Sequence, residues 1–203
     1  MKQVNEIDLN SYRDRVYQNA VNHGWHEEDK NDEHWLCLVI SELMEAVNAD
    51  RKNKYADTDV FNYIMEDNLM NLKLYGLKFD EAFSVVFEEH IKDTVEDELA
   101  DACIRLLDLA GLRNLDLGKV NIEDLKRSEG FFNWTFTESM FFLVGNIADL
   151  EHKDSESLRS FVYANLCEIL SYCLQNNIYI FWFIDQKMKY NESRPFKHGG
   201  KKY

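Results

Sequence analysis

Apolar positions recur every third or fourth residue along most of the chain, and runs of strict alternation are missing. This period predicts helices over residues 8–22, 34–50, 137–152, 157–177 and 178–191. A longer amphipathic stretch, 80–112, reads as one helix or two. A further helix is expected around FNYIMEDNLMNLKLYG (61–76). The first helix should stop near Gly24, and Asp32 in the polar turn HEEDKND is placed to cap the second. KVNIEDLKRSEG (119–130) reads as a connector with a short helical turn. One proline and eight glycines are few breakers for 203 residues, and no β-branched run argues for a sheet. The expected fold class is all-α, in a single domain spanning 1–203.

Two helices break their own pattern with acid. In HWLCLVISELMEAVNADRK (34–52), at about 100° per residue, Glu42 falls inside the apolar arc between Trp35 and Ala49. Glu45 lies at the edge of that arc. An uncompensated buried carboxylate costs several kcal/mol or takes up a proton, and a bound cation would relieve it. In EDELADACIRLLDLAG (96–111), Glu98 and Asp101 share a face, extended by Arg105 and Asp108. If the helices pack face to face, four carboxylates converge as an oxygen-only set suited to Mg²⁺ or Mn²⁺. Spacing alone also permits a merely solvated stripe. Redox di-iron sites need Glu-x-x-His pairs, and the nearest approach here is Asp149-x-x-His152.

Charge sharpens the picture. The net charge of −14 opposes binding to nucleic-acid backbones, although a divalent ion could bring a small phosphate ligand to an acidic surface. Cys37, Cys103, Cys167 and Cys173 lack zinc spacing and lie in apolar helical patterns, as buried thiols of a reducing cytosol would. The opening MKQVNEIDLNSYRDR has no apolar signal core, and no run approaches membrane-spanning length, so a cytoplasmic protein with no membrane partner is expected.

SELMEA followed by EDELADACIRLLDLAG resembles the paired ExxE and ExxD motifs of the MazG-like, all-α nucleoside triphosphate pyrophosphohydrolases. GWHEEDKNDEHWLCLVI and the closing KMKYNESRPFKHGGKKY are similar to such chains as well. The resemblance covers about residues 20–55 and 92–113 and the tail from about 185. It implies a four-helix-bundle core of the MazG-like type with additional C-terminal helices. It also implies Mg²⁺, or Mn²⁺, held by Glu42, Glu45, Glu98 and Asp101. A metal-activated water would attack the α-phosphorus of a nucleoside triphosphate, giving monophosphate and pyrophosphate, with one of the four acting as base. The family's habit implies a homodimer or homotetramer. Two departures bear on substrate and assembly: 56–90 reads as an insertion, and 119–184 is extra. CLVISELMEAV and FLVGNIADLEH align, placing Ile147 and Leu150 where Glu42 and Glu45 stand, so 131–190 reads as a degenerate helical repeat or as a chance likeness. A dUTP- or dCTP-specific pyrophosphatase remains an alternative, as does a non-catalytic helical protein that binds a nucleotide or partner chain.

Several residues fit a substrate role beside a plainer one. Lys187, Asn191 and Arg194 follow one helical face until Pro195, and would reach a triphosphate or base; otherwise they belong to a solvated basic tail, 191–203. Arg105 could meet a phosphate or form a surface ion pair with Asp101 or Glu98, the pair being favoured. Trp25 and His26 could stack on or hydrogen-bond a base, or simply pack. His23, His90 and His198 carry no ligand spacing.

Overall fold

The computed structural model describes residues 6–67, 79–128, 130–131, 133–150 and 154–197. Among these the chain forms an all-α, multi-helix bundle: α1 Leu9–Asn22, α2 Asp32–Asp50, α3 Thr58–Asp67, α4 Phe79–His90, α5 Val95–Leu112, α6 Ile122–Arg127, α7 Phe136–Ala148, α8 Ser155–Gln175 and α9 Ile180–Glu192. The expected helical boundaries hold to within a few residues, and 80–112 resolves into two helices broken at residues 91–94. His198, the stretch 68–78 of the expected third helix and insertion, residues 151–152 and the last six residues of the tail lie outside the described residues.

Local chemistry fixes the helix starts. Asp8, Thr94 and Thr135 cap α1, α5 and α7 with side-chain acceptors, and Thr135 and Glu138 complete a capping box. The cap of α2 is Asn31, whose side chain accepts from the His34 N–H, and not Asp32. Asp32 is instead the first helical residue, where its charge suits the helix dipole and holds Arg113 at 2.7 Å.

A second correction concerns the expectation of no sheet. Glu6–Asp8 (β1) and Lys119–Asn121 (β2) pair antiparallel in the register Glu6↔Asn121, Ile7↔Val120, Asp8↔Lys119. Three residues per strand are too few to show a period of two.

The hub is α5, with 13 of its 18 residues buried. Helices α1, α2, α8 and α9 all pack on it, and α7 packs on α2. Gly111 lets α1 come close: a Cβ there would lie 2.4 Å from the Tyr17 Cβ. Ile147 is fully buried on α7. Cys103 and Cys173 are buried as expected, whereas Cys167 is half-buried and Cys37 is exposed, on the face of α2 that also carries the exposed Ser41, Met44 and Asn48.

Residues 194–197, expected as a candidate solvated tail, are docked. The Lys197 N–H donates to the His23 carbonyl at 3.0 Å, and a His23 ring nitrogen lies 3.0 Å from the Arg194 carbonyl. The Phe196 ring rests on Gly24, whose φ of +76° and missing Cβ admit it. This strap carries α9 and Arg194 to the mouth of a cavity between α1, α2, α5 and α9.

Candidate metal centre

The cavity has a volume of about 420 Å³ and brings together most of the residues singled out in the sequence: Glu42, Glu45, Glu98, Asp101, Arg105 and Lys187, with Trp25, Asn191 and Arg194 on the same wall. Glu42 projects from α2 inside its apolar face and is buried, because α2 and α5 pack along their length. Glu45, one turn on, is exposed and accepts from Ser41 Oγ at 3.1 Å. Glu98 lies in the first turn of α5, where the helix N-terminus favours negative charge, and it too is buried.

Carboxylate oxygens of Glu42, Glu45 and Glu98 all lie within 4.8 Å of one another. A second group, Asp93, Asp97 and Glu98, is equally tight and shares Glu98. Both clusters can coordinate a metal ion. The donors are all oxygen, which fits a hard divalent ion such as Mg²⁺ or Mn²⁺ better than zinc.

Asp101 takes a different place from its expected cluster mates. Its Oδ2 lies 2.7 Å from Lys187 Nζ, and the same ammonium is 2.7 Å from Asp97 Oδ2. Lys187 is therefore neither solvated nor pointing freely at a ligand, but buried between two carboxylates of α5. Asp97, which the sequence pattern did not single out, is the most deeply buried acid of the site; its Oδ2 also accepts the Asp93 N–H at 2.9 Å.

Arg105 also departs from expectation. Its Nε donates to Glu42 Oε1 at 3.0 Å across the α2–α5 interface, so its partner is neither Asp101 nor Glu98 and the pair is not a surface one. His26 Nε2 meets Asp108 Oδ1 at 2.8 Å, both groups buried, with the ring 5.1 Å from Trp35 and 5.3 Å from Tyr17. That pairing consumes the His26 edge expected to meet a base. Trp25 is half-buried on the cavity wall. Asn191 Oδ1 is buried there without a hydrogen-bond partner among the described residues, and so is Asp97 Oδ1.

The electrostatics follow from crowding. Burial, then the neighbouring Asp101 and Asp97, push the Glu98 carboxyl up to about 9. Burial and Asp101 also raise Glu42, against the pull of Arg105. Burial alone would depress Lys187, but Asp101 and Asp97 outweigh it and hold the ammonium charged. In the metal-free chain Glu98 thus keeps its proton at neutral pH.

Comparison with models of known families, with curated proteins and with solved structures finds no match to the chain. Among the described residues no helix is long and apolar enough to cross a membrane.

Proposed function

We propose that the protein is a divalent-metal-dependent nucleoside triphosphate pyrophosphohydrolase of the MazG-like type, converting a nucleoside triphosphate and water to the monophosphate and pyrophosphate. The observation that carries this reading is the convergence of Glu42, Glu45 and Glu98 in a cavity whose walls also present Arg105, Lys187 and Arg194. Hard oxygen donors beside guanidinium and ammonium groups are the two halves of a metal–phosphate site. Glu42, Glu45 and Glu98 would hold Mg²⁺ or Mn²⁺, with Asp101 a fourth ligand once released from Lys187. When bound, the ion would neutralise phosphate charge and lower the pKa of a water. Arg194 is placed to take phosphate oxygens, and the unpartnered Asn191 amide to meet a sugar hydroxyl or base. Arg105 orients Glu42. Within this reading, α2 and α5 belong to the four-helix core, 56–90 is an insertion and 131–190 a degenerate repeat; a homodimer or homotetramer and a cytoplasmic setting are part of it.

The test is a product assay across ribo- and deoxynucleoside triphosphates, with Mg²⁺ and with chelator, resolved by ion exchange. Monophosphate and pyrophosphate, lost on chelation and in Glu42→Ala, are expected. Diphosphate and phosphate would refute attack at the α-phosphorus. The Lys187 bridge favours a second reading, in which Asp101 stays engaged and nucleotide is bound without turnover; it predicts metal-linked thermal stabilisation and no product.

A further inference from the structure

A second cavity, of about 600 Å³, lies between β2, α6, α7 and α8, and shares no lining residue with the acidic site. Its volume falls within the range of small-molecule pockets. Phe131, Trp134 and Phe142 form one wall, each ring set edge-to-face against the other two at centroid distances of 5.8, 5.4 and 5.9 Å. Phe131 is buried and fixed by Tyr172 at 5.1 Å, so the wall is anchored from behind. Trp134 and Phe142 remain 45% and 37% exposed, leaving ring surface open toward the cavity mouth.

Glu168, on α8 one turn before Tyr172, also belongs to the lining. It is half-buried and makes no hydrogen bond or ion pair among the described residues. Burial raises its carboxyl above the ordinary carboxylate range, and no cation offsets that. Glu6 and Asp124 stand at the rim, with Lys119 the single positive residue of the lining. The Glu168 charge is thus uncompensated within the chain and available to a positively charged group entering the cavity.

Open aromatic faces and an unpaired carboxylate are each attractive to positive charge, and together they select a cation with an apolar body. We propose that this cavity binds a small organic cation, a primary or quaternary ammonium on an aromatic or aliphatic body, with its charge at Glu168 and its body against Trp134 and Phe142. The site is independent of the metal centre and of the reaction assigned to it.

Benzylammonium is the probe, with benzyl alcohol as its neutral counterpart and the indole N–H resonances of the full chain as readout. The Trp134 resonance is identified by its loss in Trp134→Phe. A saturable Trp134 shift with benzylammonium is expected, with benzyl alcohol weaker by about tenfold or more, the size of one charge-assisted hydrogen bond. Glu168→Gln should weaken benzylammonium to the level of the alcohol while leaving the melting temperature unchanged or higher, since it removes an unpaired charge. Equal affinity for the two probes, unchanged affinity in Glu168→Gln, or no saturable shift at Trp134 would each overturn the proposal. A shift confined to Trp25 would do so as well, by placing the cation in the acidic cavity. None of these outcomes depends on nucleotide turnover.

Discussion

Replacing Lys187 with methionine isolates the most consequential contact of the acidic cavity. The ammonium is 2.7 Å from both Asp97 and Asp101, with the Lys187 and Asp97 side chains 7% and 1% exposed. Methionine fills nearly the same volume, so the change is one of charge and not of packing. Removing one partner of a buried ion pair strands the other, at a cost of about 3–5 kcal/mol. For a chain of this size that corresponds to a fall in melting temperature of roughly 6–20 °C. The double variant Lys187→Met/Asp97→Asn should recover part of the loss, because the amide keeps an acceptor for the Asp93 N–H without the stranded charge. Scanning calorimetry in metal-free buffer reads all three proteins. Mg²⁺ should then stabilise Lys187→Met more than the parent, since Asp101 is free to bind it. A melting temperature within about 2 °C of the parent would refute the account, since no buried pair of this kind is so cheap to break. So would a double variant no more stable than the single.

Three further outcomes follow from the same packing and charge. Gly111→Ala should destabilise by about 1–3 kcal/mol through overpacking against Tyr17, while Gly145→Ala, exposed on α7 with open space around its Cβ position, should stabilise by about 0.5–1 kcal/mol; thermal unfolding of the two variants reads the contrast, and equal effects would sink it. Glu98 keeps its proton up to about pH 9 in the folded, metal-free chain but gives it up near the ordinary carboxylate value when unfolded. The native state therefore binds the extra proton between those limits, and the Glu98 contribution to metal-free stability falls as pH rises across that window. Mg²⁺ binding at pH 7 should release that proton, seen as a calorimetric heat that varies with the ionisation enthalpy of the buffer; heats independent of buffer would refute it.

What was legible in the sequence was whatever one helix records about its own faces. Glu42 violated the apolar arc of its helix, and burial in the α2–α5 interface is where it went. Lys187, Asn191 and Arg194 shared a face, and all three line the cavity. Hidden were the contacts between elements. Asp97 sits one residue before Glu98 and looked like one more first-turn acid, because only the docking of α9 supplies the ammonium that makes its burial tolerable. Arg105 had Asp101 and Asp108 within one turn on its own helix, yet it crosses to Glu42, which no intrahelical spacing encodes. His26 met a buried Asp108 that had looked like the solvated end of a stripe. The short ribbon escaped for a related reason, since it depends on what lies across a gap in sequence, whereas the exposure of Cys37 was legible in the face it shares with Ser41, Met44 and Asn48.

The charge arrangement of the cavity also bears on the order of events there. Its lining carries six acidic residues, Glu98 among them protonated, against four cations, with Asp97 as a further acid just behind it. A bare triphosphate, itself strongly anionic, would meet a wall of its own sign, and the two best-placed cations are already engaged, Arg105 by Glu42 and Lys187 by Asp97 and Asp101. Those pairs are not available to phosphate until something else compensates the carboxylates. Under the proposed function, a divalent ion held by Glu42, Glu45 and Glu98 would do so, by competing with Arg105 for Glu42 and offsetting the negative charge that engages Lys187. Within that proposal, metal would convert an acidic cavity whose cations are engaged into one with cations to spare, and the ligand would enter as a metal–nucleotide complex.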